Sequence, residues 1–134
     1  MPDTFRLELA SQERMTLATN ALSVVAPGAE GYLGILAHHA PLIAALGVGD
    51  LTVVDETGRE SHVAITSGFL EVSGNVATVL ADTAELAEEI DVERARVALE
   101  RAQARLRDRP EGTDVERAYG ALHRALNRLK VAQR

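Results

Sequence analysis

Hydrophobic residues recur with two different periods along the chain, and the change falls near residue 81. Before it, the apolar runs are short, rich in Val, Leu and Ile, and separated by turn-forming clusters of Gly, Pro, Ser and Asn. These runs predict strands at residues 5–9, 16–18, 21–25, 49–54, 62–65, 68–72 and 75–80. Thr57-Gly58 and Gly74-Asn75 lie between apolar runs and predict hairpin turns. Many short strands with no helix between them indicate a β-sandwich or barrel.

From Asp91 onward the period is helical, glycine is scarce and alanine is abundant. Asp91 and Asp114 are each followed by an apolar residue and a run of helix formers, so each is placed as an N-cap. Pro110 and Gly112 lie between the two runs, where they end the first helix and allow the chain to turn. The sequence therefore predicts an antiparallel hairpin of two helices.

The two arms of this hairpin repeat each other. Residues 91–106 read DVERARVALERAQARL and residues 114–129 read DVERAYGALHRALNRL, which agree at 11 of 16 positions. At about 100° per residue each arm has one apolar stripe, formed by Ala95, Leu99, Ala102 and Leu106 in the first arm and by Ala118, Leu122, Ala125 and Leu129 in the second. One flank of each stripe is basic, with Arg94, Arg101 and Arg105 in the first arm and Arg117, Arg124 and Arg128 in the second.

These six arginines share one face if the arms pack antiparallel through their stripes, because a pseudo-twofold axis perpendicular to the pair keeps front residues at the front. Charged residues that flank an apolar seam are ordinary in coiled coils. The two arginine rows are therefore either a solvated edge or an anion-binding site.

Composition and charge narrow the function. The chain has 134 residues, enough for one domain or one domain with an appendage, and with 3% aromatic residues its core must be built from Val, Leu, Ile and Ala. Residues 1–86 hold 3 Lys/Arg against 11 Asp/Glu, which makes free nucleic acid an unsuitable partner for that part. Residues 87–134 hold 11 against 9, almost all Arg, the side chain suited to forked contacts with phosphate.

Several functions lack their sequence signals. The chain has no cysteine, no apolar run near the ~20 residues of a membrane span, and no secretory signal at its start, so we expect a soluble protein on the cytoplasmic side. The glycines at 31 and 34 lack the GK[ST] ending of a P-loop. His38-His39 has no third ligand at helical spacing, and His62 and His123 stand isolated, so no metal site is expected. Without a nucleophile motif or a paired acid and base, catalysis is not expected either.

Three segments, in order along the chain, resemble the epsilon subunit of bacterial F-type ATP synthases. They are residues 31–42 (GYLGILAHHAPL), residues 67–72 (SGFLEV) and residues 90–95 (IDVERA). Ala37 stands where the family commonly has Pro, and Ser67 where it has Gly. The third segment resembles the ATP-recognition motif at the start of the family's C-terminal hairpin.

The resemblance implies a fold and a function. The fold would be a ten-stranded β-sandwich at residues 1–84, docked on the gamma subunit and the c-ring, followed by a two-helix hairpin at residues 85–134. The chain would be a non-catalytic rotor subunit of the central stalk in a proton-translocating ATP synthase, peripheral to the cytoplasmic face of the cell membrane and not inserted in it. Its hairpin would contact the alpha and beta subunits when extended and would then oppose ATP hydrolysis.

The resemblance also implies that ATP binds the folded hairpin as a regulatory ligand, with no catalytic cofactor. The implied binding residues are Glu85, Asp91, Arg94, Ala95, Arg101, Arg124 and Arg128. The arginines can neutralise the triphosphate through charge-assisted hydrogen bonds, whereas the two carboxylates can accept hydrogen bonds from the adenine amino group or the ribose. Participation of Mg²⁺ stays open.

Two other functions compete with this one. A free-standing ATP-sensing module would bind ATP but would not purify with gamma. A small hydrolase would show turnover in the isolated chain.

Overall fold

The computed structural model describes residues 3–134, which form two compact units divided after Leu86. Residues 1 and 2 lie outside the described residues. They are the first residues of the predicted β domain and of the segment inspected for a secretory signal. The division falls two residues after the predicted end of the β domain at 84, because Ala84–Leu86 pair with a strand of the first unit.

The first unit is a β domain whose strands form one sheet. Its strands are β1 (Phe5–Ser11), β2 (Met15–Gly28), β3 (Gly31–Leu36), β4 (Leu42–Asp55), β5 (Glu60–Ser73), β6 (Val76–Ala81) and β7 (Ala84–Leu86). The order is β1-β6-β5-β4-β2-β3, and β1 also pairs with β2, so five strands close into a ring. Two strands lie outside this ring, β3 paired with the second half of β2 and β7 paired with the first half of β5. The β1–β6 pair is parallel and the other pairs are antiparallel.

The expected count of ten strands is wrong for residues 3–134, which contain seven. The reason is that β2, β4 and β5 are each 14 residues long, and β2 and β5 change neighbours along their length. β2 pairs first with β1 and then with β3, and β5 pairs first with β7 and then with β6. The predicted strands at 62–65 and 68–72 are thus one strand, interrupted by an irregularity at Ser67 and Gly68, both at positive φ.

The core of the β domain is aliphatic, as the composition predicted. Its fully buried large side chains are Leu7, Leu9, Val24, Ile35, Leu51, Val53, Val63, Ile65, Leu70 and Val79. Both predicted hairpin turns are confirmed. Gly58 has a φ of 87° between β4 and β5, and Gly74 and Asn75 have φ of 58° and 60° between β5 and β6. The hydroxyl of Thr57 donates to Asp55 in the first turn and lowers the pKa of that carboxyl.

The second unit is the expected pair of helices. A 3₁₀ turn at Ala87–Glu89 precedes α1 (Val92–Asp108), and six residues connect α1 to α2 (Val115–Ala132). The short connection returns the chain, so the two helices pack against each other in antiparallel directions. Both N-caps are confirmed, since Asp91 accepts a hydrogen bond from the Arg94 N–H and Asp114 from the Arg117 N–H, each at 3.0 Å.

The seam between the helices follows the predicted stripes. Its four alanines, Ala95, Ala102, Ala118 and Ala125, are buried, and its four leucines are half-buried. Val131, beyond the repeat, is also fully buried. α1 ends at Arg109, which has a left-handed φ of 43°, and Gly112, with φ of 83°, lies in the turn as the sequence predicted.

Candidate functional site

The predicted ATP-binding residues are distributed over both units. Glu85 belongs to β7 of the β domain, where it pairs with Ala64, is half-buried and already takes part in an interaction. The other six belong to the helical hairpin, which therefore carries all of the predicted arginines.

Asp91 and Ala95 help to build the hairpin itself. Oδ1 of Asp91 accepts the Arg94 N–H, and the Ala95 N–H donates to the Asp91 carbonyl at 3.0 Å. Ala95 is 4% exposed, so its small side chain serves the close approach of the helices. The N–H groups of residues 94 and 95 are therefore already satisfied at this helix start, the first by the cap and the second by an intrahelical hydrogen bond.

The six flanking arginines are named the arginine ladder (Arg94, Arg101, Arg105, Arg117, Arg124 and Arg128). A helix rises about 1.5 Å per residue, so distance from the turn can be counted along each arm of the antiparallel hairpin. On this count the ladder has three rungs, Arg94 with Arg128, Arg101 with Arg124, and Arg105 with Arg117. The members of each rung differ in height by no more than about 3 Å.

Most guanidinium groups of the ladder have no acidic partner. Those of Arg94, Arg101, Arg105, Arg117 and Arg124 make no ion pair or hydrogen bond within the described chain, while Arg128 is already engaged in an interaction.

Arginines of the same helix that lie outside the ladder are paired instead. Arg96 lies 2.9 Å from Glu93, and Arg107 lies 3.0 Å from Asp108 and lowers the pKa of that carboxyl. A row of cations at matched heights, five of the six without an acidic partner, raises the local potential and attracts anions. This contrast favours the anion site over a solvated edge.

The sequence analysis missed a polar cluster in the β domain. The expectation that His62 is isolated is wrong. Its Nδ1 lies 3.0 Å from both carboxylate oxygens of Asp50, and its Nε2 lies 3.1 Å from Oε2 of Glu60. The side chains of His62 and Asp50 are 13% and 10% exposed. The register of the hairpin held the signal. A turn at residues 56–59 places Thr52 opposite His62, and Asp50, two residues before Thr52, lies on the same face.

The other histidines also have local partners or face solvent. Nε2 of His38 lies 3.0 Å from Asp3, Nδ1 of His39 lies 2.7 Å from the Ala40 carbonyl, and His123 is exposed. Over residues 3–134 no group of three or more His, Cys, Asp or Glu side chains is arranged to hold a metal ion.

One outer face of the β domain presents an apolar strip, formed by Ile43, Phe69 and Leu80. These side chains are 73%, 61% and 60% exposed. They lie on the adjacent strands β4, β5 and β6. Phe69 pairs directly with Leu80 and is the diagonal neighbour of Ile43, whose own partner is Glu71. Contiguous exposed apolar residues typically mark a protein-binding surface. Neither of the described helices is long and apolar enough to cross a membrane.

Comparison with known proteins gives concordant matches over both units. The family model for the β-sandwich domain of the ATP synthase Delta/Epsilon chain matches residues 4–87, and the model for its long α-helix domain matches residues 88–133. The ATP synthase epsilon chain of Moorella thermoacetica is 52% identical over 129 residues, 96% of each chain. That of Desulforamulus reducens is 48% identical over 133 residues, 99% of this chain and 100% of the relative.

Solved structures agree with these relatives. A chain from the Euglena gracilis mitochondrial ATP synthase (OSCP/F1/c-ring) has a TM-score of 0.84 and 28% identity, covering 100% of this chain and 84% of that one. A chain from the central stalk and c-ring of the Tetrahymena thermophila enzyme has a TM-score of 0.56 at 13% identity, a likeness of fold alone, over 96% of this chain and 92% of that one.

Proposed function

The chain belongs to the epsilon family of ATP synthase subunits, which are non-catalytic. From that premise we propose that its helical hairpin is an ATP-sensitive regulator of ATP hydrolysis. The observation that carries the proposal is the arginine ladder, whose residues lie at matched heights on two helices and whose guanidinium groups mostly lack acidic partners.

ATP suits this ladder by its charge. The triphosphate carries several negative charges, and arginine binds phosphate through parallel N–H···O bonds. Arg94 and Arg101 contribute from α1, and Arg124 and Arg128 from α2. A ligand that contacts both arms stabilises the folded hairpin, because only there do the arginines of the two arms lie at matched heights. Asp91 supplies an acceptor for the nucleoside from its second carboxylate oxygen, and Glu85, in the β domain, stays a prediction from the resemblance.

The hairpin is suited to switching because its seam is weak. The four buried seam residues are alanines, which bury little apolar area each. A ligand can move a two-state equilibrium only by its differential affinity for the two states, so a small gap makes the hairpin responsive. In this proposal, abundant ATP holds the folded form, and scarce ATP releases the hairpin to extend to the alpha and beta subunits and stop hydrolysis.

We expect the distance between the β domain and residues 114–134 to change with ATP concentration in the assembled complex. A pair of spin labels or fluorophores measures that distance, with and without Mg²⁺. The variant Arg124→Ala should need more ATP for the same change, whereas Arg96→Ala, outside the ladder, should behave as the parent chain. A distance that stays constant while ATP is shown to bind would make the site structural rather than regulatory.

In this proposal the β domain docks the chain on the rotor, against the gamma subunit and the c-ring. The complex lies at the cytoplasmic face of the membrane across which protons move. The apolar strip is the surface proposed for gamma, because stable interfaces have an apolar centre with aromatic anchors. The alternative function, a free-standing ATP-sensing module, has no use for such a strip.

Replacing Phe69 by serine should weaken binding of the purified chain to gamma by about 30-fold or more, the loss of a hot-spot residue worth about 2 kcal/mol. Because Phe69 is 61% exposed, the fold should persist. Met15→Ser, at an exposed apolar residue outside the strip, is the matched control. Surface plasmon resonance with immobilised gamma measures both, and equal affinities would place the interface elsewhere.

A further inference from the structure

The apolar strip arises where β5 changes which of its residues face the core. β5 contributes four large residues to the core, two on each side of this point, namely Val63 and Ile65, then Leu70 and Val72. Successive residues of a strand face opposite sides, so a change from odd to even positions reverses the facing of every later residue. Phe69 would face the core without the change, and with it is 61% exposed.

The paired strand β4 changes at the same height. Its core residues are Leu46 on one side of the change and Leu51 and Val53 on the other, and Leu46 pairs with Gly68. The register of β4 with β5 is the same before and after this point, because both strands change together. Ile43 is thereby turned outward beside Phe69, and the strip depends on the backbone at this point.

That backbone is strained and is held by the segment that follows β6. Ser67 and Gly68 have φ of 126° and 141°, which glycine adopts freely and serine does not. Oδ2 of Asp82 accepts the Ser67 hydroxyl at 2.7 Å, and the Asp82 N–H donates to the Ser67 carbonyl at 2.9 Å. The hydroxyls of Thr66 and Thr83 lie 2.7 Å apart, and the Thr66 N–H donates to the Thr83 carbonyl.

Asp82 also lies at the border of the strip, two residues after Leu80, which pairs with Phe69. We propose that Asp82 is a positioning residue, which holds Ser67 in its strained conformation and so keeps Phe69 turned outward against Leu80 as a docking surface. The inference rests on the proposed gamma surface for its purpose, but the positioning itself can be tested without gamma. A side chain that is already in place loses less conformational freedom on binding, which is the advantage of preorganisation.

The first test uses the full-length chain without a partner. The chain has two phenylalanines, and Phe5, 3% exposed in the core, is the internal reference. In Asp82→Ala the ring signals of ¹³C-labelled Phe69 should shift and its nuclear Overhauser contacts to the Leu80 methyls should weaken, while the Phe5 signals stay in place. Asp82→Asn keeps an oxygen that can accept the Ser67 hydroxyl, so its Phe69 signals should match the parent. An unmoved Phe69 signal in Asp82→Ala overturns the inference.

The second test is surface plasmon resonance with immobilised gamma. Asp82→Ala should weaken binding by about three- to tenfold, the size expected for the loss of one hydrogen bond. Asp82→Asn should bind as the parent does. An equal loss in Asp82→Asn would make the carboxylate a direct charge contact to gamma and would overturn the positioning role.

Ser67→Gly supplies the matched background, because glycine adopts the φ of residue 67 without being held. Ser67→Gly alone should bind gamma within about twofold of the parent, and Asp82→Ala should then have no further effect, since the two side chains act as a pair. A loss of the same size in both backgrounds overturns the inference.

The two proposals fail in different ways. If Phe69→Ser weakens gamma binding and Asp82→Ala does not, the positioning role is overturned and the gamma surface stands. If Phe69→Ser binds gamma as the parent does, the strip is not the gamma surface, and the Phe69 ring signals alone decide whether Asp82 positions Phe69.

Discussion

Replacing Gly68 by alanine is expected to lower the free energy of unfolding of the β domain by at least about 3 kcal/mol. A Cβ at this position would lie 2.7 Å from the Cα of Ala81 and would overlap the carbonyl oxygen of Leu80. Both are backbone atoms of β6, which is held by pairing with β5 and with β1, so they cannot move aside without breaking the ring. The φ of Gly68, 141°, adds strain for any residue with a side chain.

The neighbouring residue provides the control for this substitution. Ser67 has φ of 126°, a strained value for a non-glycine residue, and its hydroxyl donates to Oδ2 of Asp82 at 2.7 Å. Ser67→Gly relieves the strain but loses the exposed hydrogen bond, so the free energy of unfolding should stay within about 1 kcal/mol of the parent. Urea unfolding followed by the NMR signals of β5 and β6 measures both variants. A Gly68→Ala chain as stable as Ser67→Gly would show that β5 and β6 separate easily here.

The β domain shows which features of a sheet a sequence can reveal. Alternation and turn residues predicted the apolar segments and both tight hairpins, because these depend on neighbours in sequence. The count of ten, which the resemblance implied, was wrong because long strands such as β5 continue through local irregularities such as the positive φ of Ser67 and Gly68. Only the pairing of β4 along both halves of β5 shows that the strand continues. The resemblance to the epsilon family was confirmed, and the number of strands it implied was not.

The hairpin was predictable in more detail because its contacts repeat every three or four residues. The caps at Asp91 and Asp114, the alanine seam and the ladder follow from helical periodicity alone. What periodicity could not give were contacts that depend on side-chain conformation, such as the ion pair of Arg107 with Asp108. The cluster of His62 with Asp50 and Glu60 was missed for a related reason, since its members are brought together by strand register.

Replacing Arg124 by alanine is expected to weaken ATP binding by about 10- to 100-fold, because a hydrogen bond between charged groups contributes about 1.5–3 kcal/mol. The change should not unfold the hairpin, since the seam is made by Ala125 and its equivalents and alanine favours helices. Calorimetric titration of the full-length chain measures the dissociation constant, and Arg94→Ala should show a loss of similar size.

Arg96→Ala is the control for Arg124→Ala, because it removes an arginine that Glu93 already pairs and that lies outside the ladder. ADP should bind the parent chain more weakly than ATP, and the loss caused by Arg124→Ala should be smaller for ADP, which has one phosphate fewer to meet the ladder. Added salt should weaken ATP binding in the parent more than in Arg124→Ala, which has one charge fewer to be screened. The Debye length, over which exposed charges are screened, is about 8 Å at physiological ionic strength. If Arg94→Ala and Arg124→Ala both bind ATP as the parent does, the ladder is a solvated edge, and an ATP-sensitive hairpin would need another site.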